Sequence, residues 1–206
     1  MPCTESSPPP RPDQWDDWHR TGLPFVVSCK EAEFFCRHLA PRPGLRAVDL
    51  ACGNGQWTRQ LAAWGLTVRG YDFSAEALRQ ATAAGVHEDL AYARWDIDRD
   101  PAPAGLAAGT LDLVTCRYAL PYLRHARLLP DIARWLRPGG AFYALVHLRD
   151  GTEDAGCRRR RGAFRGALTP GELDTVGADW PYRSVHRLSR RKTAIVLRPH
   201  ASRRPG

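Results

Sequence analysis

Lysine is almost missing from this chain: of its thirty cationic side chains, only Lys30 and Lys192 are not arginine. An arginine bias that general, beside abundant Ala, Gly and Pro, weakens any reading built on arginine number alone. Also missing is an apolar run approaching the roughly twenty residues that cross a bilayer as a helix. The opening residues have neither a basic start nor an apolar stretch, so no secretory signal is expected and the sequence points to the cytoplasm. The six cysteines (3, 29, 36, 52, 116 and 157) include no C-x-x-C pair and no histidine at ligand spacing. That argues for free thiols and against a structural zinc or any other metal site. No internal repeat is evident, and 206 residues suffice for one α/β domain with a proper core but not for two.

What is present centres on residues 46–61. Residues 47–50 form a short apolar run broken only by Asp49, as suits the buried first strand of a parallel sheet. Residues 51–55 are small and glycine-rich, so the backbone can turn tightly and let a ligand approach it. Residues 56–64 read as a helix whose unpaired N–H groups point back at that loop. Strand, loop and helix make a nucleotide site at the carboxyl end of a parallel sheet. A dinucleotide fingerprint would need G-x-G-x-x-G, but after Gly53 and Gly55 the third position is Thr58. Asp49 would also sit badly beside a pyrophosphate and favours a cationic or hydrogen-bond-donating ligand.

Residues 66–72 read as a second strand ending in Asp72, and Ser74 opens a helix over 75–84 closed by Gly85. An acid at that strand tip, about twenty residues past the glycine loop, can accept hydrogen bonds from two ribose hydroxyls. Asp49-x-Ala51-Cys52-Gly53-x-Gly55 resembles motif I of the class I methyltransferases, whose cofactor, S-adenosylmethionine, carries an ammonium and a sulfonium and no phosphate. The resemblance implies cofactor roles for Asp49, Ala51, Gly53, Asn54 and Gly55. It puts Asp72 on the ribose, Phe73 against the adenine, and Asp96 and Ile97 on the adenine's polar edge; Cys116, closing the fourth strand, joins this set.

Elsewhere the chain agrees. Residues 1–12 are rich in Pro and Ser and are expected to be disordered. Trp15 and Trp18 would be costly to leave in water, so their segment should pack on something; residues 1–27 resemble the N-terminal extension and lid of small-molecule methyltransferases. Ser28 with Glu31 forms a capping box for a helix over 29–39. A third strand over 90–98 ends in Asp96-Ile97-Asp98, and a fourth covers 111–116. A helix over 123–136 then precedes Leu136-x-Pro138-Gly139-Gly140, a late motif of the same family, and a fifth strand over 141–148. Thr169, Pro170 and Glu172 read as a second capping box. Strand-like runs over 182–188 and 193–197 complete the sheet. The expected fold is α/β and doubly wound, a mostly parallel seven-stranded sheet with helices on both faces and an antiparallel final strand. Residues 28–199 form the methyltransferase domain and 200–206 a polar tail.

The acceptor is less legible. Methyl transfer from a sulfonium needs positioning more than acid–base help. His147 at the end of the fifth strand is the first candidate for the reacting side, Tyr118 the second, with Tyr122 and His19 behind them. Net charge is +8, yet residues 157–206 carry thirteen cationic against three acidic side chains, a net of +10. The four consecutive arginines at 158–161, in a long loop over 150–168, could meet a carboxylate or phosphate. The residues after the fourth strand lack a polar residue followed by two prolines, which argues against methylation of adenine or cytosine amines. The leading reading is methyl transfer to an O or N atom of a small-molecule acceptor. An RNA methyltransferase using the basic C-terminal third, and a non-catalytic binding module, remain as alternatives.

Overall fold

The computed structural model describes residues 10–21, 26–149, 164 and 166–199. Its seven strands are β1 (Arg46–Leu50), β2 (Thr67–Asp72), β3 (Leu90–Arg94), β4 (Leu111–Arg117), β5 (Leu136–His147), β6 (Tyr182–Arg187) and β7 (Lys192–Arg198). They lie in the order β3-β2-β1-β4-β5-β7-β6. The first five are mutually parallel, and β7 runs antiparallel to both β5 and β6. The chain works outward from β1 to β3 and then crosses back to β4. The carboxyl ends of β1 and β4 therefore diverge at a switch point, where doubly wound sheets take their ligands.

Strand alternation puts a core on each face. Phe142, Ala144 and Val146 of β5 join Val48, Leu50, Val114, Ile132 and Trp135 on one side. Tyr143 and Leu145 join Ala47, Leu113, Phe35, Trp57 and Leu61 on the other. Each such large apolar side chain, fully buried, contributes about 1.5–3 kcal/mol. The helices that close these layers are α2 (Cys29–Leu39), α3 (Gln56–Ala63), α4 (Ala75–Ala83), α5 (His125–Trp135) and the short α6 (Pro170–Thr175); α1 (Pro12–Thr21) precedes them and buries none of its residues.

Three local expectations change. Ser28 Oγ accepts the Glu31 amide at 3.3 Å, as in half a capping box, but the Glu31 carboxylate turns into the core instead of back to the cap. The third strand ends at Arg94, because Trp95 N–H donates to the Asp72 carbonyl and residues 96–100 coil into a turn around Asp96. The helix expected from 123 starts at His125, after a 3-10 turn over Leu120–Tyr122. The second capping box forms in full, with Thr169 and Glu172 each satisfying the other's amide. Among the described residues, Cys29, Cys36, Cys52 and Cys116 are free thiols, and no helix is long and apolar enough to cross a membrane. Residues 1–9, 150–163 and 200–206, with the readings made of them, lie outside the described residues.

Candidate functional site

The loop after β1 winds through left-handed backbone at Ala51, Gly53 and Gly55 (φ 51°, 54° and 75°). Glycine is required most clearly at 55, where a Cβ would come within 2.4 Å of the Tyr92 hydroxyl. Asp49 lies beneath this loop, 1% exposed, and accepts from Thr58 Oγ1 at 2.7 Å and Thr115 Oγ1 at 2.8 Å. Burial pushes its carboxyl up to about 6, against the pull of both hydroxyls. Thr58 is the residue that stands where a dinucleotide fingerprint has glycine. Its hydroxyl is committed to satisfying a buried acid, so its presence follows from Asp49.

Asp72 at the tip of β2 accepts from the Gly53 amide at 2.8 Å and the Ser74 amide at 2.9 Å. It thereby ties the glycine loop to α4, and burial raises it to about 6 despite those donors. Asp96 accepts from Asp98 N–H at 3.1 Å and lies 3.8 Å from Arg99.

A cavity of about 230 Å³ joins these groups; Asp49, Ala51, Gly53, Asn54, Asp72, Phe73, Asp96, Ile97 and Tyr118 all line it. Cys116 does not: β4 alternation turns it into the core, where it is fully buried and its thiol is pushed up to about 12. His147 also stands outside the lining. Paired with Lys192 across β5 and β7, its Nδ1 lies 3.1 Å from the Arg191 carbonyl, and its ring stacks on Tyr118 at 4.8 Å. Tyr118 has left-handed backbone (φ 61°), unusual for a bulky residue and typical of strained functional positions. Its phenol is raised by burial to about 12 and is neutral near pH 7.

Two contributors escaped the sequence reading. Arg117, one residue past Cys116, lines the cavity and forms a bidentate ion pair with Glu31 at 2.6 and 2.9 Å. Its guanidinium also lies 5.0 Å over the Trp57 ring and 5.2 Å from Tyr118. No local pattern links residues 31 and 117; only the fold does. The second is Asp16 of α1, which accepts from Ser74 Oγ at 2.5 Å and the Glu76 amide at 3.2 Å, while Gln80 Nε2 donates to the His19 carbonyl at 2.8 Å. These bonds dock α1 along α4 and turn Trp15, Trp18 and His19 into the cavity. Trp15 meets Tyr122 and Phe164 edge-on at 5.2 and 5.0 Å, so an aromatic cluster lines one wall of the cavity.

Sheet order and a switch-point cavity lined by Asp72 and Asp96 define a doubly wound α/β protein with a ligand-sized cavity at the carboxyl edge of its sheet. Residues 48–144 match the family described as "Methyltransferase domain". The ubiquinone biosynthesis O-methyltransferase of Ralstonia nicotianae is 33% identical over 110 residues, 52% of this chain and 46% of that one. The chain thus spans about half the length of this curated relative. An S-adenosylmethionine-dependent methyltransferase from Mesorhizobium loti superposes with a TM-score of 0.62 at 22% identity, covering 83% of this chain and 98% of that one. Phosphoethanolamine N-methyltransferase 2 of Haemonchus contortus, in complex with S-adenosyl-L-methionine, gives a TM-score of 0.67 at 18% identity, covering 84% and 42%. At such identities the structural likeness speaks to the fold. Over residues 48–144 the chain is thus similar to a methyltransferase domain, and its fold is that of solved S-adenosylmethionine-dependent methyltransferases, whose cofactor is the nucleoside to test against the cavity.

The residues present fit that cofactor. Asp72, Asp96 and Ile97 offer acceptors and an apolar edge for a nucleoside, and loop residues 51–54 line the cavity, whereas Gly55 does not and packs against Tyr92.

Proposed function

We propose that this chain transfers a methyl group to an O or N atom of a small-molecule acceptor. The observation that carries this reading is a single cavity lined both by the acids Asp72 and Asp96 and by the aromatic cluster of Trp15, Trp18, Tyr122 and Phe164. When bound, S-adenosylmethionine supplies a methyl group on an already cationic sulfur. Asp72 holds the ribose hydroxyls, Asp96 and Ile97 the adenine, and Phe73 covers its face. Asp49 lies under the turn, where a cationic tail passes. Trp15, Trp18, Tyr122 and Phe164 exclude water and hold the acceptor against the methyl group, which is most of what a displacement of this kind requires. Tyr118 faces the cavity as a neutral phenol able to donate to the acceptor, and His147 acts behind it by fixing its ring. The named relatives act at oxygen in one case and nitrogen in the other, in keeping with a fold that leaves the attacking atom to the wall residues.

The test is transfer of label from methyl-labelled cofactor to panels of hydroxylated and amine small molecules, with bulk tRNA alongside. Label on a small molecule supports the reading. Label on tRNA alone would replace it with the RNA reading, and cofactor binding with no transfer to either would favour a binding module.

A further inference from the structure

The cofactor reading assigns partners to the adenine and the ribose and sets Asp49 near the tail's ammonium, but leaves the tail's carboxylate without one. The order of residues along the cavity shows where the tail goes. Asp96 and Ile97 follow β3, Asp72 ends β2, and residues 51–54 follow β1, so a ligand laid adenine-first along this edge brings its tail over the glycine loop. Above that loop lies His19. A Cβ on Gly53 would sit 3.3 Å from its Cε1, so the ring rests directly on the loop's bare face. Gln80 fixes the backbone of His19 through its carbonyl, Asp16 fixes the helix one turn earlier, and Trp18 packs against the ring at 4.9 Å. The imidazole is thus held in place over the tail's path, and it lines the cavity.

We propose that His19 is a cofactor-positioning residue whose imidazole N–H donates to the carboxylate of the amino-acid tail, while Asp49 below the loop attracts the tail's ammonium. The inference rests on the cofactor assignment above. The division of labour follows from charge: an acid lies under the loop and a group able to carry positive charge lies over it, matching the two ends of a zwitterion. Burial lowers His19 from its ordinary value, against Asp16 on its own helix and Glu76 on α4, which raise it. Of the other groups nearby, Asp72 and Cys52 belong to the loop's own packing, and Arg79 is engaged by Glu76. Near pH 7 the free ring is therefore mostly neutral, and a carboxylate beside it would draw a proton on.

The experiment compares S-adenosylhomocysteine with methylthioadenosine, which has the same nucleoside and no amino-acid tail. Dividing one dissociation constant by the other cancels adenine and ribose contacts, including the titration of Asp72. His19→Phe keeps a ring against Trp18 and removes the donor. It should cut the preference for S-adenosylhomocysteine about tenfold while leaving methylthioadenosine binding unchanged, the latter showing that α1 is still docked. His19→Gln, a neutral donor, should recover part of that preference at pH 8. The wild-type preference, divided by that of His19→Phe, should grow as pH falls from about 8 to about 5.5, because binding the carboxylate favours protonated His19. Protonation of Asp49, common to both proteins, has the opposite sign and cancels. Equal weakening of both ligands, or a quotient flat with pH, would overturn the assignment of His19. Failure of the wild type to bind S-adenosylhomocysteine at all would overturn the cofactor reading beneath it.

Discussion

Replacing Glu31 with Leu would leave the Arg117 guanidinium buried without its counter-ion. The pair is nearly sealed: the side chains are 0% and 7% exposed, joined by bonds of 2.6 and 2.9 Å, with Tyr143 Oη 3.5 Å from the same carboxylate. Burial alone works against the charged guanidinium, and Glu31 outweighs it, holding Arg117 above its ordinary value. Breaking a buried pair from one side costs about 3–5 kcal/mol, because the remaining charge must be desolvated alone. Against a typical total of about 5–15 kcal/mol, that is a large share of stability. Removing both charges as Glu31→Leu with Arg117→Met should cost much less, within about 1 kcal/mol of wild type, since the site can then pack as an apolar layer. Urea unfolding followed by fluorescence of the seven tryptophans would give all four corners of the cycle. Two single losses of about 3–5 kcal/mol that fall to within about 1 in the double variant correspond to a coupling of at least about 5 kcal/mol. Single-variant losses under about 1 kcal/mol that simply add in the double variant would refute the reasoning.

Asp72→Ala should weaken S-adenosylhomocysteine binding by about 1–3 kcal/mol through loss of charged hydrogen bonds, as measured by calorimetry. Thr58→Gly, which completes the dinucleotide spacing, should gain no affinity for NADH and should cost roughly 2–3 kcal/mol on chemical unfolding, since it strips a donor from Asp49 and adds backbone freedom. Asp49 and Asp72 each titrate at about 6 when folded against an ordinary 3.8, so folding favours their protonated forms by about 3 kcal/mol apiece. Their contribution to the ligand-free chain's stability therefore falls as pH climbs from about 4 to about 6 and is level above that. In Asp49→Asn, whose amide Thr58 and Thr115 can still satisfy by rotating their hydroxyls, about half of this pH dependence should vanish; an unchanged slope would remove Asp49 from the account.

The sheet, and the glycine loop and Asp72 that line the cavity, were legible because they are encoded locally. The β1 stretch, the glycine loop and Asp72 lie within about thirty residues, and hydrophobic alternation sets each strand's faces without reference to distant residues. The limits of that legibility are physical. Glu31 has the right spacing from Ser28 for a cap, yet a buried arginine 86 positions away offers a stronger partner, and tertiary pairing overrode the local choice. Cys116 and Arg117 are neighbours in β4, and which of the two lines the cavity depends on a register no spacing reveals. His147 sits at the correct end of β5, but β7 pairs alongside and takes its imidazole out of the cavity. His19 and the tryptophans of α1 carried no decisive pattern, because their place over the glycine loop depends on Asp16 reaching Ser74, 58 residues away.

The most direct test of the central claim is a calorimetric titration of the intact chain with S-adenosylhomocysteine. Saturable, micromolar binding at one site is predicted, with melting raised by roughly 2.7 kcal/mol of added stability at about a hundredfold excess over the dissociation constant. No heat and no melting shift with S-adenosylhomocysteine, alongside saturable binding of NADH, would contradict it.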